Sequence, residues 1–262
     1  MADPEVLTVH EAADLLGISM QRVRQMIHAG QLGARRSSGG WLIEAGAVAE
    51  RSERLHRGRP PEPHTAWSAV ALLAAASACA SQPRSGCRVS AAQVVPDRKL
   101  RHRILRVLSR LPDPVADDVP WRRLLSARGQ AHRMWVHSGV LDRLAADPKV
   151  SAGGIGAMSA GHDGLTMGPG RLDIYVHQAD ADDLIRRYRM REDGDGQVYL
   201  LIVPSSVPPG LAPDRGSPVP APAAASDLLE DKDPRARRAG ALELRSCLGA
   251  LHAVGWLTLW PR

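Results

Sequence analysis

Residues 7–44 read LTVHEAADLLGISMQRVRQMIHAGQLGARRSSGGWLIE, and their pattern decides what the N-terminal part of the chain is. Thr8, with Glu11 three residues later and an apolar run behind it, forms a capping box. In that arrangement the threonine hydroxyl accepts from the third helical amide while the glutamate reaches back to the cap amide. A helix is expected from Val9, with Ala12, Ala13, Leu15 and Leu16 on its apolar face and Gly17 ending it. Ile18 makes the turn, Ser19 caps a second helix over 20–29, and Gly30 closes that helix. Val23, Met26 and Ile27 fall on one face of the second helix. Gln21, Arg22, Arg24, Gln25 and His28 fall elsewhere, without apolar company. Such side chains can reach base edges and phosphates: Arg bidentate to guanine, Gln to adenine, either to the backbone.

After Gly30 the period becomes strand-like over 31–36, turns through Ser37, Ser38, Gly39 and Gly40, and resumes at Trp41, Leu42 and Ile43. A two-stranded wing would hold Arg35 and Arg36 beside the recognition helix, with Ser37 and Ser38 at the tip, as a second grip on phosphate. A short Ala-rich helix is expected over 46–55. Helix, turn, helix and basic wing ending in Trp41-Leu42-Ile43 resemble the MerR and excisionase type of winged helix-turn-helix. That resemblance implies double-stranded DNA as the partner. A small helical cap with a solvated charged face shares the pattern without the function.

At 262 residues the chain has room for one large or two modest domains. The net charge of +6 suits an anionic partner but does not separate DNA, RNA and membrane surface. Residues 1–60 hold eight Lys or Arg against seven acids, whereas residues 84–133 hold twelve against four, so the basic excess lies beyond the helix-turn-helix. Cys79, Cys87 and Cys247 have no paired Cys-x-x-Cys spacing, so neither a disulfide framework nor a zinc site is expected, and a reducing cytoplasm is the natural home. The N-terminus lacks the basic-then-apolar order of a signal peptide. Residues 66–80 are apolar but too short to span a bilayer and read as a buried helix, so no membrane partner is expected.

The organisation expected is a DNA-binding domain over 1–55, a Pro/Arg linker over 56–65, and an α+β domain over 66–262. Arg57 and Arg59 in the linker are candidates for the DNA backbone, equally readable as a solvated linker. Residues 67–80 start the second domain, and 89–95 read as a weakly patterned link. Over 98–111, RKLRHRILRVLSRL places Leu100, Ile104, Val107, Leu108 and Leu111 at helical spacing. Beside them runs a basic stripe, Lys99, Arg103, Arg106 and Arg110, that could follow a phosphate backbone, face an acidic protein, or simply be solvated. Further helices are expected over 121–127, 140–146, 155–161 and 180–190, and strands over 132–137, 149–152, 171–177 and 197–204. The proline-rich stretch 204–224 reads as a surface loop, and Asp233 and Pro234 open the last helix. The apolar end, 256–260, is expected to dock back on the domain.

From Trp67 onward the order of motifs resembles a group of actinobacterial helix-turn-helix proteins whose C-terminal part is related to AbiEi-type abortive-infection antitoxins. The stretches that carry this are KLRHRIL, VLDRLAADPKVSAGGIGAM, LDIYV, VYLLIVP and DLLEDKDPRARRAG. The resemblance implies a repressor of its own operon, with a nucleotidyltransferase-like toxin encoded alongside as a protein partner. Self-association as a homodimer is a further expectation.

An enzyme reading competes. Nucleotidyltransferases place two acids one residue apart on a strand that follows a Gly-Gly or Gly-Ser turn, because paired carboxylates hold the metals that bridge nucleotide phosphates. Gly153-Gly154 and Asp173 fit, but Tyr175 stands where the second acid belongs, so the expected form is a degenerate, non-catalytic scaffold. Histidines lack metal-site spacing, and no Ser/His/Asp signature or Walker loop is present. No catalytic residue, metal or cofactor is therefore expected. A DNA-binding regulator is the leading reading. A nucleotidyltransferase-like enzyme with a DNA-targeting module and an excisionase-like recombination factor are the alternatives.

Overall fold

A computed structural model describes residues 6–16, 19–28, 32–37, 40–45, 48, 61–82, 89–158, 170–231 and 233–257. The chain divides into two compact units, Met1–Pro60 and Pro61–Arg262.

The first unit runs β1 (Val6–Thr8), α1 (Val9–Leu16), α2 (Met20–His28), β2 (Ala34–Ser37) and β3 (Gly40–Glu44). The capping box forms as read: the Glu11 amide donates to Thr8 Oγ1 at 3.3 Å, and the Thr8 amide donates to Glu11 Oε2 at 2.8 Å. That backbone bond from Thr8 holds the Glu11 carboxyl below its usual range. Ser19 caps α2, its Oγ accepting from the Arg22 amide at 3.3 Å. Ala12, Ala13, Val23, Met26, Ile27, Leu32, Ile43 and Val48 make the core. The two basic-hairpin strands pair antiparallel with Arg36 opposite Trp41, and Gly40 takes φ +128° in the turn, a region side chains rarely enter.

One strand was not anticipated. β1 pairs antiparallel with β3, Val6 opposite Glu44 and Thr8 opposite Leu42, making a three-stranded sheet in the order β1-β3-β2. Three residues are too few to show a period of two, which is why this strand leaves no local signature. The expected strand over 31–36 is shifted to Ala34–Ser37. Of the helix expected over 46–55, only Val48 is described, and it is helical, as is Ala45 just before it; Gly17, Ala29, Gly30 and Ser38 also fall outside the described residues.

The second unit begins with α3 (Pro63–Ala80), which starts inside the stretch read as linker. Pro63 sits in its first turn, where the fixed φ of proline suits a helix and its missing N–H is no loss. Then follow α4 (Ala91–Val94), α5 (Arg98–Leu108), α6 (Val119–Leu125), β4 (Gln130–Trp135), α7 (Leu141–Ala145), β5 (Val150–Ala152) and α8 (Gly154–Met158). The unit continues through β6 (Leu172–His177), α9 (Gln178–Arg187), β7 (Arg191–Glu192), β8 (Val198–Val203), α10 (Ala221–Leu229) and α11 (Pro234–Ala253). Residues 89–95, read as a link, contain α4 because Ser90 and Gln93 form a second capping box.

The sheet order is β5-β6-β8-β4-β7. Only β6 and β8 run parallel; the other neighbours are antiparallel, a mixed α/β arrangement. Both faces of β6 are covered. Ile174 and Val176 join Met134, Val198, Leu200, Ala181 and Leu184 in one cluster, while Tyr175 joins Trp67, Leu72, Leu201 and Leu244 in the larger one. Residues 98–108 form the helix expected over 98–111, and Val107 is 37% exposed instead of joining the apolar stripe.

Two further expectations are corrected. The proline-rich stretch is loop and mostly exposed only through Pro220; its end, 221–224, opens α10, where Pro222, Ala223 and Ala224 are buried. Pro220 caps that helix and Pro222 occupies its first turn, while the alanines let α11 approach so closely that a Cβ on Gly240 would overlap the Ala225 carbonyl oxygen. And Cys79 is disulfide-bonded, with its partner outside the described residues; Cys247 is free and buried. Trp256 and Leu257 pack on the main core, and 258–260 fall outside the described residues. Among the described residues no helix is long and apolar enough to cross a membrane.

Candidate nucleic-acid interface

Helix α2 separates its side chains cleanly. Val23, Met26 and Ile27 are at most 8% exposed, and Gln21, Arg22, Arg24 and Gln25 are all exposed. Burial of the first three turns the other four outward, so the core itself aims the polar face. Arg22 Nη1 donates to Gln25 Oε1 at 3.2 Å, a coupling between the two that spacing alone did not reveal. His28 closes the helix. Met20, at the helix start beside these polar side chains, is 45% exposed.

On the hairpin, Arg35, Arg36 and Ser37 are exposed. The Arg36 guanidinium lies 6.0 Å from the centroid of the half-buried Trp41 ring. This stacking orders the arginine without neutralising it. Arg57 and Arg59 lie outside the described residues.

In the second unit Lys99, Arg103 and Arg106 are exposed along α5, and Arg110 is exposed in the turn beyond it. Asp97 Oδ1 caps the helix, accepting from the Leu100 amide at 3.0 Å. Arg103 Nη2 donates to Thr65 Oγ1 at 3.3 Å, tying the stripe to the first turn of α3.

The strand that invited the enzyme reading holds a buried polar network. Arg128, fully buried, donates to Asp227 Oδ1 at 2.7 Å, to the Tyr175 hydroxyl at 3.0 Å, to the Leu125 carbonyl at 2.6 Å, and to Ser226 Oγ. Tyr175 donates to Asp227 Oδ1 at 2.7 Å, and the other carboxylate oxygen accepts from the Gly154 amide at 2.9 Å. Burial pushes the Asp227 carboxyl up to about 6, against the pull of Arg128 and of the bond from Tyr175. Burial also drives the Tyr175 phenol well above its usual range. Arg128 is pulled down by burial but held above its ordinary value by Tyr175 and Asp227, so it stays charged at neutral pH.

Asp173 is 2% exposed and faces Arg171, whose Nε lies 3.3 Å from Oδ1; Arg171 Nη1 lies 2.6 Å from Asp231 Oδ2. Burial raises the Asp173 carboxyl, opposed by Arg171. Gly154 takes φ +47°, and a Cβ there would overlap the Asp173 carboxylate. The glycine turn thus serves close packing of the turn on Asp173 and Tyr175. Guanidinium groups stand beside these carboxylates, and among the described residues no group of three or more His, Cys, Asp or Glu could hold a metal ion. The sequence flagged Asp173 and Tyr175 but not Arg128, Asp227 or Arg171, whose partners are distant in the chain.

A family profile described as a helix-turn-helix domain matches residues 6–54, which supports DNA binding by the first unit. No curated protein and no solved structure matches the chain.

Proposed function

We propose that the chain is a sequence-specific, cytoplasmic DNA-binding transcriptional regulator, an antitoxin-like repressor of its own operon. In this reading α2 is the recognition helix, the β2–β3 hairpin is a wing of the MerR and excisionase kind, and the second unit is a non-catalytic scaffold that binds a cognate toxin or a second copy of the chain. The carrying observation is the division of α2: three apolar residues buried, and Gln21, Arg22, Arg24 and Gln25 exposed. A helix with that division offers donors in the fork and amide geometries that read the major groove. The α5 stripe adds phosphate contacts, because cations that displace condensed counterions strengthen binding in proportion to their number.

Gel shift of the chain's own promoter against scrambled DNA of equal length tests the reading. Tighter binding to the promoter is expected, with log Kd rising steeply with log salt. Replacing both Arg103 and Arg110 by Gln should lower that salt slope by roughly one unit per lost phosphate contact. Equal affinity for both DNAs would remove the regulator reading, and an unchanged slope would remove α5 from the contact.

A further inference from the structure

Between α4, α5 and the turn after α11 the second unit contains a cavity of about 420 Å³. Small-molecule sites span roughly 300–1,000 Å³. Its walls are Ala91 and Ala92 of α4, Leu105 of α5, and Trp256 with Leu257 beyond α11. Ala91, Leu105 and Trp256 rest half-buried on the main core cluster, and Leu257 is part of that cluster, so the floor belongs to the packed body of the unit. Apolar wall of this kind gains about 25 cal/mol for each Å² that an apolar occupant shields from water.

The charged side chains among the described lining residues are basic. Arg101 and Arg106 line the cavity together with His102, and no Asp or Glu is among the described lining residues. Arg101 Nη1 donates to the Val95 carbonyl at 2.6 Å and to the Pro96 carbonyl at 3.1 Å. Two backbone acceptors fix its guanidinium at the mouth while leaving its charge uncompensated by them.

From an apolar cavity and an arginine rim together we propose that the second unit binds a small amphipathic organic anion. An aromatic or acyl body would pack on Leu105 and Trp256, and a carboxylate or sulfonate would sit against Arg101 and Arg106. An organic cation meets the wrong charge at this mouth, and a nucleoside triphosphate meets too little polar wall to replace its hydration. The site shares Arg106 with the α5 stripe, but dye binding is measured on the protein alone, so its outcome does not depend on the DNA reading.

The test is a fluorescence titration of the full chain with anilinonaphthalene sulfonate and, in parallel, with the uncharged phenylnaphthylamine. One saturable site is expected for each dye. Leu105→Trp fills the cavity and should abolish both signals. Ala92→Phe, at an exposed wall position away from the core, should do the same and serves where Leu105→Trp disturbs folding. Arg106→Gln should weaken the sulfonate by roughly fivefold, about the effect of one exposed ion pair, and leave the neutral dye unchanged. Absence of a saturable site in the full chain overturns the proposal. So does wild-type dye binding by folded Ala92→Phe, or an Arg106→Gln variant that treats both dyes alike.

Discussion

Arg128 donates to Asp227 at 2.7 Å between side chains that are 0% and 2% exposed, joining the turn before β4 to the middle of α10. Desolvating two charges is expensive, and their attraction repays it only with the further bonds that Tyr175 and Gly154 donate to Asp227 and that Ser226 and Leu125 accept from Arg128. Removing one partner leaves the other charged and buried. Arg128→Met should therefore destabilise the second unit by about 3–5 kcal/mol. Asp227→Leu should cost a similar amount, and the double variant should cost clearly less than the two singles together. Urea unfolding of the four proteins measures this, and strict additivity would show that the two residues do not act as a pair.

Tyr175 ties into the same network, and its hydroxyl favours the charged form of Asp227. The Asp227 carboxyl is raised in the folded state to about 6 from an ordinary 3.8. A raised carboxyl contributes stability that is complete below its unfolded value and is lost as pH rises through the folded one. Tyr175→Phe removes a donor to the carboxylate, so the folded value rises further and the loss extends to higher pH. The substitution should cost about 1–3 kcal/mol at neutral pH, and less at pH values below about 5. Denaturant melts across that interval check the sign; a penalty that grows on acidification would contradict the assigned role of the hydroxyl.

What could be read from the chain alone follows the range of the interactions. The Thr8–Glu11 box and the buried trio Val23, Met26 and Ile27 depend on spacings of three or four residues, and the structure keeps them. Val6–Thr8 becomes a strand only because β3 lies alongside it. Residues 221–224 looked like loop because proline and alanine have little pattern, yet small side chains are what let α10 lie under α11. At the network, Tyr175 is visible as a missing acid, but it lies 47 positions along the chain from the Arg128 that donates to it. Nothing local marks Arg128, because Tyr175, Ser226 and Asp227 lie 47, 98 and 99 positions away from it.

Reading and gripping should separate on the first unit. Arg22 and Gln25 are exposed and bonded to each other, so each holds the other's orientation on the face that α2 presents. Arg22→Ala or Gln25→Ala should cost about 1–3 kcal/mol on the operator and little on random DNA. Because of their shared bond, the double variant should cost less than the sum. Arg36→Ala, which removes the guanidinium over Trp41, should weaken both DNAs alike. Neutral Arg22 and Gln25 variants in a gel shift would mean that another surface reads the bases.

The second unit is expected to catalyse no nucleotidyl transfer. Two-metal phosphoryl chemistry needs paired carboxylates open to cations and to the substrate phosphates. Here the strand offers Asp173 alone, 2% exposed and faced by Arg171, while Tyr175 bonds to Arg128 and Asp227 in the place of a second acid. Changing Tyr175 to Asp would bring a third carboxylate beside Asp173 and Asp227 without removing either arginine, so it should destabilise the unit and create no activity. Incubation of the full chain with each labelled nucleoside triphosphate, magnesium or manganese, and protein and RNA acceptors provides the measurement, with Asp173→Ala as the control. No transfer of label is expected from either protein, with operator binding intact in both. Transfer by the unsubstituted chain that Asp173→Ala abolishes would promote the enzyme over the regulator, since no structural role of Asp173 produces labelled acceptor.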